Sequence, residues 1–423
     1  MIESSRLQRV RSWLLWALVA GLAVSISLAE AALAALGLCL LIPSPDRPRL
    51  KWPLVIPVSA FALLTLISAA ASEHPLESLV TGREVLLLGA TWVVMGALAD
   101  GRAARRFVSA LFLAVSLVAI FAIVQVALCG PGLGEIPLIG RFFVRCARAR
   151  GFFSIYMTLA GVLMALLVAV LPKLVEAGGR AAWAWTAWLL SAAALALTYV
   201  RGAWLGFVFG AAGSLLASRR RVVALLGLAA VISLMVVALP GVLSRARSIG
   251  STTDATAADR LAMAEAGLRM ARERPILGLG VGQVKRVYPD YAAPTALLRD
   301  SGHLHNTPLQ ILVERGALGL LAWLLIYVEF LLRAGLIAAR LPREAVEPRA
   351  LVLGSMFAVV AFLFAGLFEY NFGDSEVLLV VSSLMAVPFV IDRAVALPGD
   401  GGRPELSVSV APPGPQRMPA PRA

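Results

Sequence analysis

His303 and His305 stand two residues apart in SGHLHNTPLQILVERGALGLLAWLL (301–325), and they are two of the three histidines in the chain. An imidazole with its ordinary pKa near 6.5 can take a proton from a hydroxyl at neutral pH. The chemistry open to this pair is general-base activation of a weak nucleophile. The alternative role is a helix cap or a hydrogen-bonding group. A His-x-His pair with no nearby Cys and only Asp300 beside it lacks a third ligand, so no metal is expected.

Arginines offer a second kind of chemistry. Arg201 lies in TYVRGAWLG between two apolar stretches. A charge inside the apolar region costs roughly 2.5–3.5 kcal/mol on insertion scales, so it has a partner, a task or a route to the interface. Residues 129–151 carry Arg141, Arg145, Arg148 and Arg150, and residues 241–305 carry nine Lys or Arg against six Asp or Glu. Such residues either touch lipid headgroups or hold an anion. Guanidinium is a rigid fork of donors that matches phosphate oxygens in pairs, so a diphosphate at a membrane surface would engage several.

The elements that must position these groups are membrane helices. Of 423 residues, 60% are hydrophobic and 15% charged, with a mean hydropathy of +0.84, too apolar for a soluble surface. In lipid only a closed helix or barrel satisfies its own backbone, and each helical crossing takes about 20 apolar residues for roughly 30 Å of hydrocarbon. Apolar runs near 12–28, 30–43, 53–72, 85–99, 107–128, 152–172, 183–200, 202–217, 221–240, 307–332, 350–370 and 376–394 predict an all-α polytopic membrane protein with about 12 transmembrane helices. The nearly unbroken stretch 12–43 predicts a hairpin turning near Glu30. Arg6, Arg9 and Arg11 precede an apolar run that no small-residue cleavage site follows, so the first helix is read as uncleaved.

Charge orients the spans. Arg47, Arg49 and Lys51, then Arg102, Arg105 and Arg106, Lys173 and Arg180, Arg219 to Arg221, and Arg333, Arg340, Arg343 and Arg349 fall on alternate connections. The positive-inside rule then places both termini in the cytoplasm and the long connection 241–306 outside. Residues 1–397 form the membrane domain; 398–423, rich in Pro, Gly, Ser and Arg, are expected to be a disordered cytoplasmic tail. Membrane lipids are expected partners and nucleic acid is not.

Within the outer connection, 255–274 has helical spacing at Leu261, Ala264, Leu268 and Ala271 and is expected to lie along the membrane face. PILGLGVGQV (275–284) lacks a preceding strand, the G-x-G-x-x-G order and a Walker lysine, and reads as a tight turn for close packing. Cys129 and Cys146 bracket the other arginine-bearing outer loop, either paired or as two free thiols.

Together these segments resemble the O-antigen ligase family, the Wzy C-terminal-domain superfamily of lipopolysaccharide ligases and polysaccharide polymerases. Its signature of His, then Asn, Ser or Gln, nine residues, then Gly-x-x-Gly is matched by His305-Asn306, TPLQILVER and Gly316-Ala317-Leu318-Gly319. TYVRGAWLG resembles a family helix start and places Arg201 on its arginine, with Val200 where serine is usual. ADRLAMAEAGLRMARERPILGLGVGQV places Arg260 on a second arginine, with Ala264 where Leu or Trp is common. RARGFFSIYMTLAG resembles an Arg-x-x-Gly-x-Phe helix approach that places Arg148, although SIYM departs from Pro-Asn. The likeness covers about residues 145–325.

The resemblance implies a membrane glycosyltransferase (GT-C-like) architecture with a large periplasmic loop in the bacterial inner membrane. It implies metal-independent, inverting transfer of glycan from undecaprenyl diphosphate, without a cofactor. His305, or His303 in its place, would be the base; Arg201, Arg260 and Arg148 would bind diphosphate; Asn306 would position the acceptor or the imidazole. The acceptor is a lipid A-core in a ligase and a carrier-linked glycan in a polymerase. Twelve spans also suit a transporter or flippase, but sparse charge within the spans and no repeat between the two halves argue against one.

Overall fold

The computed structural model describes residues 2–42, 52–130, 140–143, 146–218, 220–247, 255–293, 296 and 299–396. The expected tail 398–423 and Arg145 lie outside them. The described chain is all helical: α1 (Ile2–Val24), α2 (Ile26–Leu41), α3 (Val55–Ala70), α4 (Pro75–Gly82), a 3₁₀ segment (Arg83–Gly89), α5 (Ala90–Ala97), α6 (Gly101–Ala127), α7 (Tyr156–Ala177), α8 (Ala182–Leu197), α9 (Arg201–Leu216), α10 (Arg221–Ala238), α11 (Pro240–Arg247), α12 (Ala255–Glu273), α13 (Val284–Tyr291), α14 (Thr307–Arg340), α15 (Val346–Ala365) and α16 (Ser375–Ala396). Among these residues seven helical stretches are long and apolar enough to cross a membrane, and α2, α3 and α8 are shorter apolar helices. The chain is an integral membrane protein.

Burial sorts the helices. In α7, 94% of the most apolar stretch is buried, as expected of a helix apolar on every side at the centre of a bundle; in α10 the share is 6%, so its apolar surface faces lipid. Glycines on α9 bring it against α15: a Cβ at Gly210 would lie 2.7 Å from that of Ala361.

The first hairpin turns earlier than expected. The break falls at Ser25, whose Oγ accepts from the Leu28 amide at 3.5 Å and caps α2, while Glu30 lies inside that helix. Hydropathy is blind to this choice because both positions sit in apolar surroundings.

The segment between α11 and α14 builds its own small core, in which Met263, Ala266 and Met270 of α12 meet Val284, Tyr288, Leu304 and Val313. The expected stripe on α12 is therefore displaced. Leu261 and Leu268 are exposed and only Ala271 of the four is buried. Small and flexible side chains won the inner face because the approach is close. A Cβ at Gly267 would stand 2.7 Å from Leu304 Cδ1.

Candidate functional site

Three elements meet where the chain returns to the membrane before α14. Asn306 caps α14, its Oδ1 accepting from the Leu309 amide at 2.9 Å while its Nδ2 donates to the Leu367 carbonyl at 2.9 Å. Both halves of the amide are thus used to fix the backbone that carries His305. Thr307 adds a hydrogen bond from its amide to the Gly366 carbonyl at 2.7 Å and one from Oγ1 to the Glu369 carbonyl at 2.9 Å. These bonds lock the start of α14 to the turn between α15 and α16. His305 itself has φ +49°, a left-handed conformation that costs a non-glycine residue of order 1 kcal/mol or more and persists only where the surroundings fix it.

That turn supplies the centre of the site. Glu369, 8% exposed, accepts on both carboxylate oxygens: Oε2 lies 3.1 Å from His305 Nδ1, and Oε1 is paired with the Arg260 guanidinium from α12. Arg260 and His305, 45 residues apart in sequence, therefore share one carboxylate. The carboxylate favours the tautomer with hydrogen on Nδ1, which leaves Nε2 with a free lone pair. His303 packs edge-on against His305 at 4.3 Å between ring centroids. Burial, then the neighbouring His305, push the His303 pKa down to about 4, against the pull of Glu369, so His303 is neutral at physiological pH.

A cavity of about 240 Å³ opens beside this cluster, lined by His303, Glu369, Tyr370 and Asp374 on one side and by α7 and α9 on the other. Arg201, buried at the first position of α9, follows two residues after Tyr199, another left-handed non-glycine residue. Gly202 permits the close approach of that helix end, since a Cβ there would lie 3.1 Å from Glu369 Cγ. Val200 and Ala203 line the cavity, so the Arg201 segment borders the same space as Glu369. Arg148 lies with its guanidinium 4.4 Å from the centre of the Tyr156 ring, at the start of α7. Asp374 accepts from Thr158 Oγ1 at 2.5 Å, and burial raises its carboxyl above the ordinary range. Cys129 and Cys146 form a disulfide that closes the loop before Arg148.

The motif glycines serve the same arrangement from below. Gly316 has φ +68° and sits at a kink in α14, where a Cβ would overlap the Ile276 carbonyl. There PILGLG crosses the helix, with Leu279 N donating to the Val313 carbonyl at 2.9 Å, Gly280 N to Glu314 at 3.0 Å and Ala317 N to Pro275 at 2.8 Å. At Gly319 an added Cβ would crowd the Arg315 side chain.

The spans are less free of charge than their sequence suggests. Arg315, fully buried, donates to Glu314 at 3.0 Å, to Glu84 at 2.8 Å and to Thr65 at 3.2 Å, while Gln310 donates to Glu314 at 2.8 Å and accepts from the Leu304 amide at 2.8 Å. Tyr370 OH reaches Glu84 at 3.3 Å and joins this network to the cavity wall. Each buried charge here has a partner, which is the condition for tolerating it in a membrane.

Sequence reading missed Glu369 as the centre of the site and missed the Arg315 network. The available signal was a carboxylate in a short turn between two apolar spans. Its partners, 64 and 109 residues away, carry no local mark.

Residues 186–324 match the family model described as O-antigen ligase. This region, which includes Arg201, Arg260, His305 and both motif glycines, is similar to the O-antigen ligase family. No curated protein matches the chain.

Proposed function

We propose, from the likeness of residues 186–324 to the O-antigen ligase family, that this protein is a glycosyltransferase of the bacterial inner membrane. It moves glycan from undecaprenyl diphosphate to the lipid A-core at the periplasmic face. The observation that carries the reading is the Arg260–Glu369–His305 constellation, whose Glu369 lines a cavity bordered by the Arg201 segment. In this reading α1, α2, α3, α4 with α5, α6 to α10, and α14 to α16 are twelve crossings, both termini are cytoplasmic, residues 1–397 form one GT-C-like domain, and 241–306 is its periplasmic loop.

The acceptor hydroxyl is a poor nucleophile. His305 Nε2 takes its proton as the hydroxyl oxygen forms a bond to the anomeric carbon from the face opposite the diphosphate, and the bond to the diphosphate oxygen breaks with inversion. Positive charge arising on the imidazole is stabilised by Glu369 through Nδ1. The leaving diphosphate gathers negative charge, which the donors of Arg260 not used by Glu369, Arg201 and, at the approach, Arg148 stabilise without a divalent ion. Asn306 positions the imidazole through the backbone, and His303 supports the ring from its edge.

A transfer assay in membranes with carrier-linked glycan and purified lipid A-core tests this. His305→Ala, Arg201→Ala and Arg260→Ala variants that accumulate normally should each lose transfer, and normal activity in any of them overturns its assignment. If wild-type protein instead extends carrier-linked glycan and leaves lipid A-core unmodified, the polymerase reading replaces the ligase.

A further inference from the structure

The helices that border the cavity beside Glu369 enclose a second one at their other ends. α15, with 20 residues, spans about 30 Å, close to the thickness of hydrocarbon in a bilayer. Its last residue, Ala365, lines the first cavity. Its first turns, with the ends of α7 and α9, wall another of about 410 Å³. In the topology proposed above this second cavity opens at the cytoplasmic face.

Its charges are sorted by helix. Arg343, in the connection before α15, and Arg349, at the start of α15, bring two guanidinium groups to the wall. Arg349 Nη1 donates to the Ala338 carbonyl at 3.2 Å, which uses one of its five N–H donors and holds the side chain against the end of α14. Glu176, in the last turn of α7, brings a carboxylate, whose Oε1 accepts from Ser218 Oγ at 3.0 Å. The backbone has the same polarity, since α15 begins here and α7 ends here. Glu347, the acidic residue in the first turn of α15, is taken up by Arg105 and Lys173. Arg220, whose Nη1 would lie 3.3 Å from a Cβ at Gly178, approaches the end of α7 without lining the cavity. Pro172, Ala217 and Leu353 make the remaining wall apolar. Leu216, next to Ala217, and Phe209 lie seven residues apart on one face of α9 and are exposed, so an apolar strip runs from the cavity along that helix.

We infer that this cavity binds the headgroup of a bilayer phospholipid carrying a phosphate diester and a primary ammonium, as phosphatidylethanolamine does. Arg343 and Arg349 hold the phosphate, Glu176 holds the ammonium, and the acyl chains lie along the exposed face of α9. Arginines lining a pocket between membrane helices would suit any phospholipid phosphate. The carboxylate is what selects, because a headgroup with negative charge alone would meet Glu176 with nothing to offset it. The site lies at the far end of the bundle from His305 and does not depend on the transfer reaction.

Competition between two lipids tests it. Purified full-length protein, stripped of lipid in detergent, is given an equimolar mixture of phosphatidylethanolamine and phosphatidylglycerol, and the retained lipid is counted by native mass spectrometry. Wild type should retain phosphatidylethanolamine in excess. Arg343→Gln should retain about tenfold less of it, the loss expected of a charge-assisted hydrogen bond to phosphate, and Arg343→Lys should recover part. Arg343 lies exposed in a connection, so both variants should keep the melting midpoint of lipid-free wild type. Glu176→Gln should still retain lipid but lose the preference, bringing the two lipids to similar amounts. Arg340→Gln removes a nearby exposed charge that does not line the cavity and should match wild type. Wild-type retention by both Arg343→Gln and Arg349→Gln overturns the site, and a wild-type preference for phosphatidylglycerol overturns the occupant. Glycerophosphoethanolamine, the same headgroup without acyl chains, distinguishes a lipid from a soluble phosphate: if it displaces the lipid at equal concentration, the assignment to a membrane lipid is wrong.

Discussion

Replacing Glu369 by Gln keeps the shape of the turn and removes its charge. The native carboxylate accepts from His305 Nδ1 at 3.1 Å and pairs with Arg260. A hydrogen bond to a charged group contributes about 1.5–3 kcal/mol, and the bond to His305 strengthens as the imidazole gains a proton during transfer. If that difference is expressed only in the transition state, kcat falls by roughly 10- to 150-fold at 1.4 kcal/mol per tenfold, while KM for the acceptor stays put. Glu369→Asp retains the charge but withdraws it from the ring, and should recover part of the loss. The assay is initial-rate transfer in proteoliposomes, with Glu347→Gln as the control. Glu347 pairs with Arg105 and Lys173 at the opposite end of the bundle. A folded Glu369→Gln protein with wild-type kcat would refute the role given to this carboxylate. A raised KM at constant kcat would mean that Glu369 acts through substrate binding instead.

Other outcomes follow from single features. Gly316→Ala forces a Cβ into the Ile276 carbonyl at φ +68° and should destabilise by more than about 1–2 kcal/mol, read as a lower midpoint in thermal unfolding of the solubilised protein. His303 is held at about 4 when folded, below its ordinary 6.5, so the unfolded chain binds a proton that the folded chain refuses; stability is lost as pH falls from 6.5 toward 4, and His303→Gln should flatten that slope. Cys129→Ser opens a loop of 17 residues and should lower stability by about 3 kcal/mol in the chain-entropy account, seen as a melting shift that reducing agent reproduces in wild type.

Hydropathy made the helices legible, because lipid admits only one solution to backbone hydrogen bonding and the run lengths reveal it. It did not locate turns inside apolar sequence. Ser25, chosen over Glu30, is a matter of one hydroxyl cap and a close contact between Gly21 and Ala29. On α12 two stripes had helical spacing, and the face that turned inward was decided by Leu304 and Tyr288, which approach from elsewhere in the chain. His305 and Arg201 could be singled out because each is unusual in its own surroundings, and Arg260 through the family resemblance alone. Glu84 could not, and Glu369 showed only as a carboxylate in a short turn, since their importance lies in partners 64 to 286 residues away.

The spacing between His305 and Gly316 is the one local feature whose reason becomes visible only in three dimensions. Asn306 starts the helix, Gln310 reaches back to the Leu304 amide, Glu314 receives Gln310 and the Gly282 amide, and Gly316 kinks beneath PILGLG. Both ends of the interval are anchored to different elements, so its length sets the rotation of one anchor relative to the other. Inserting one alanine between Leu312 and Val313 turns the His305 end by about 100° against the PILGLG anchor and lengthens the interval by about 1.5 Å. The helix would still form, since alanine is its best former. Expected is a protein that inserts and accumulates, with the disulfide intact, yet transfers no glycan. A substitution of Val313 by alanine, which removes volume without adding a residue, should retain most of its activity. An active insertion variant would mean that the interval merely separates two independent features, and the link between the spacing and the placing of the imidazole would be wrong.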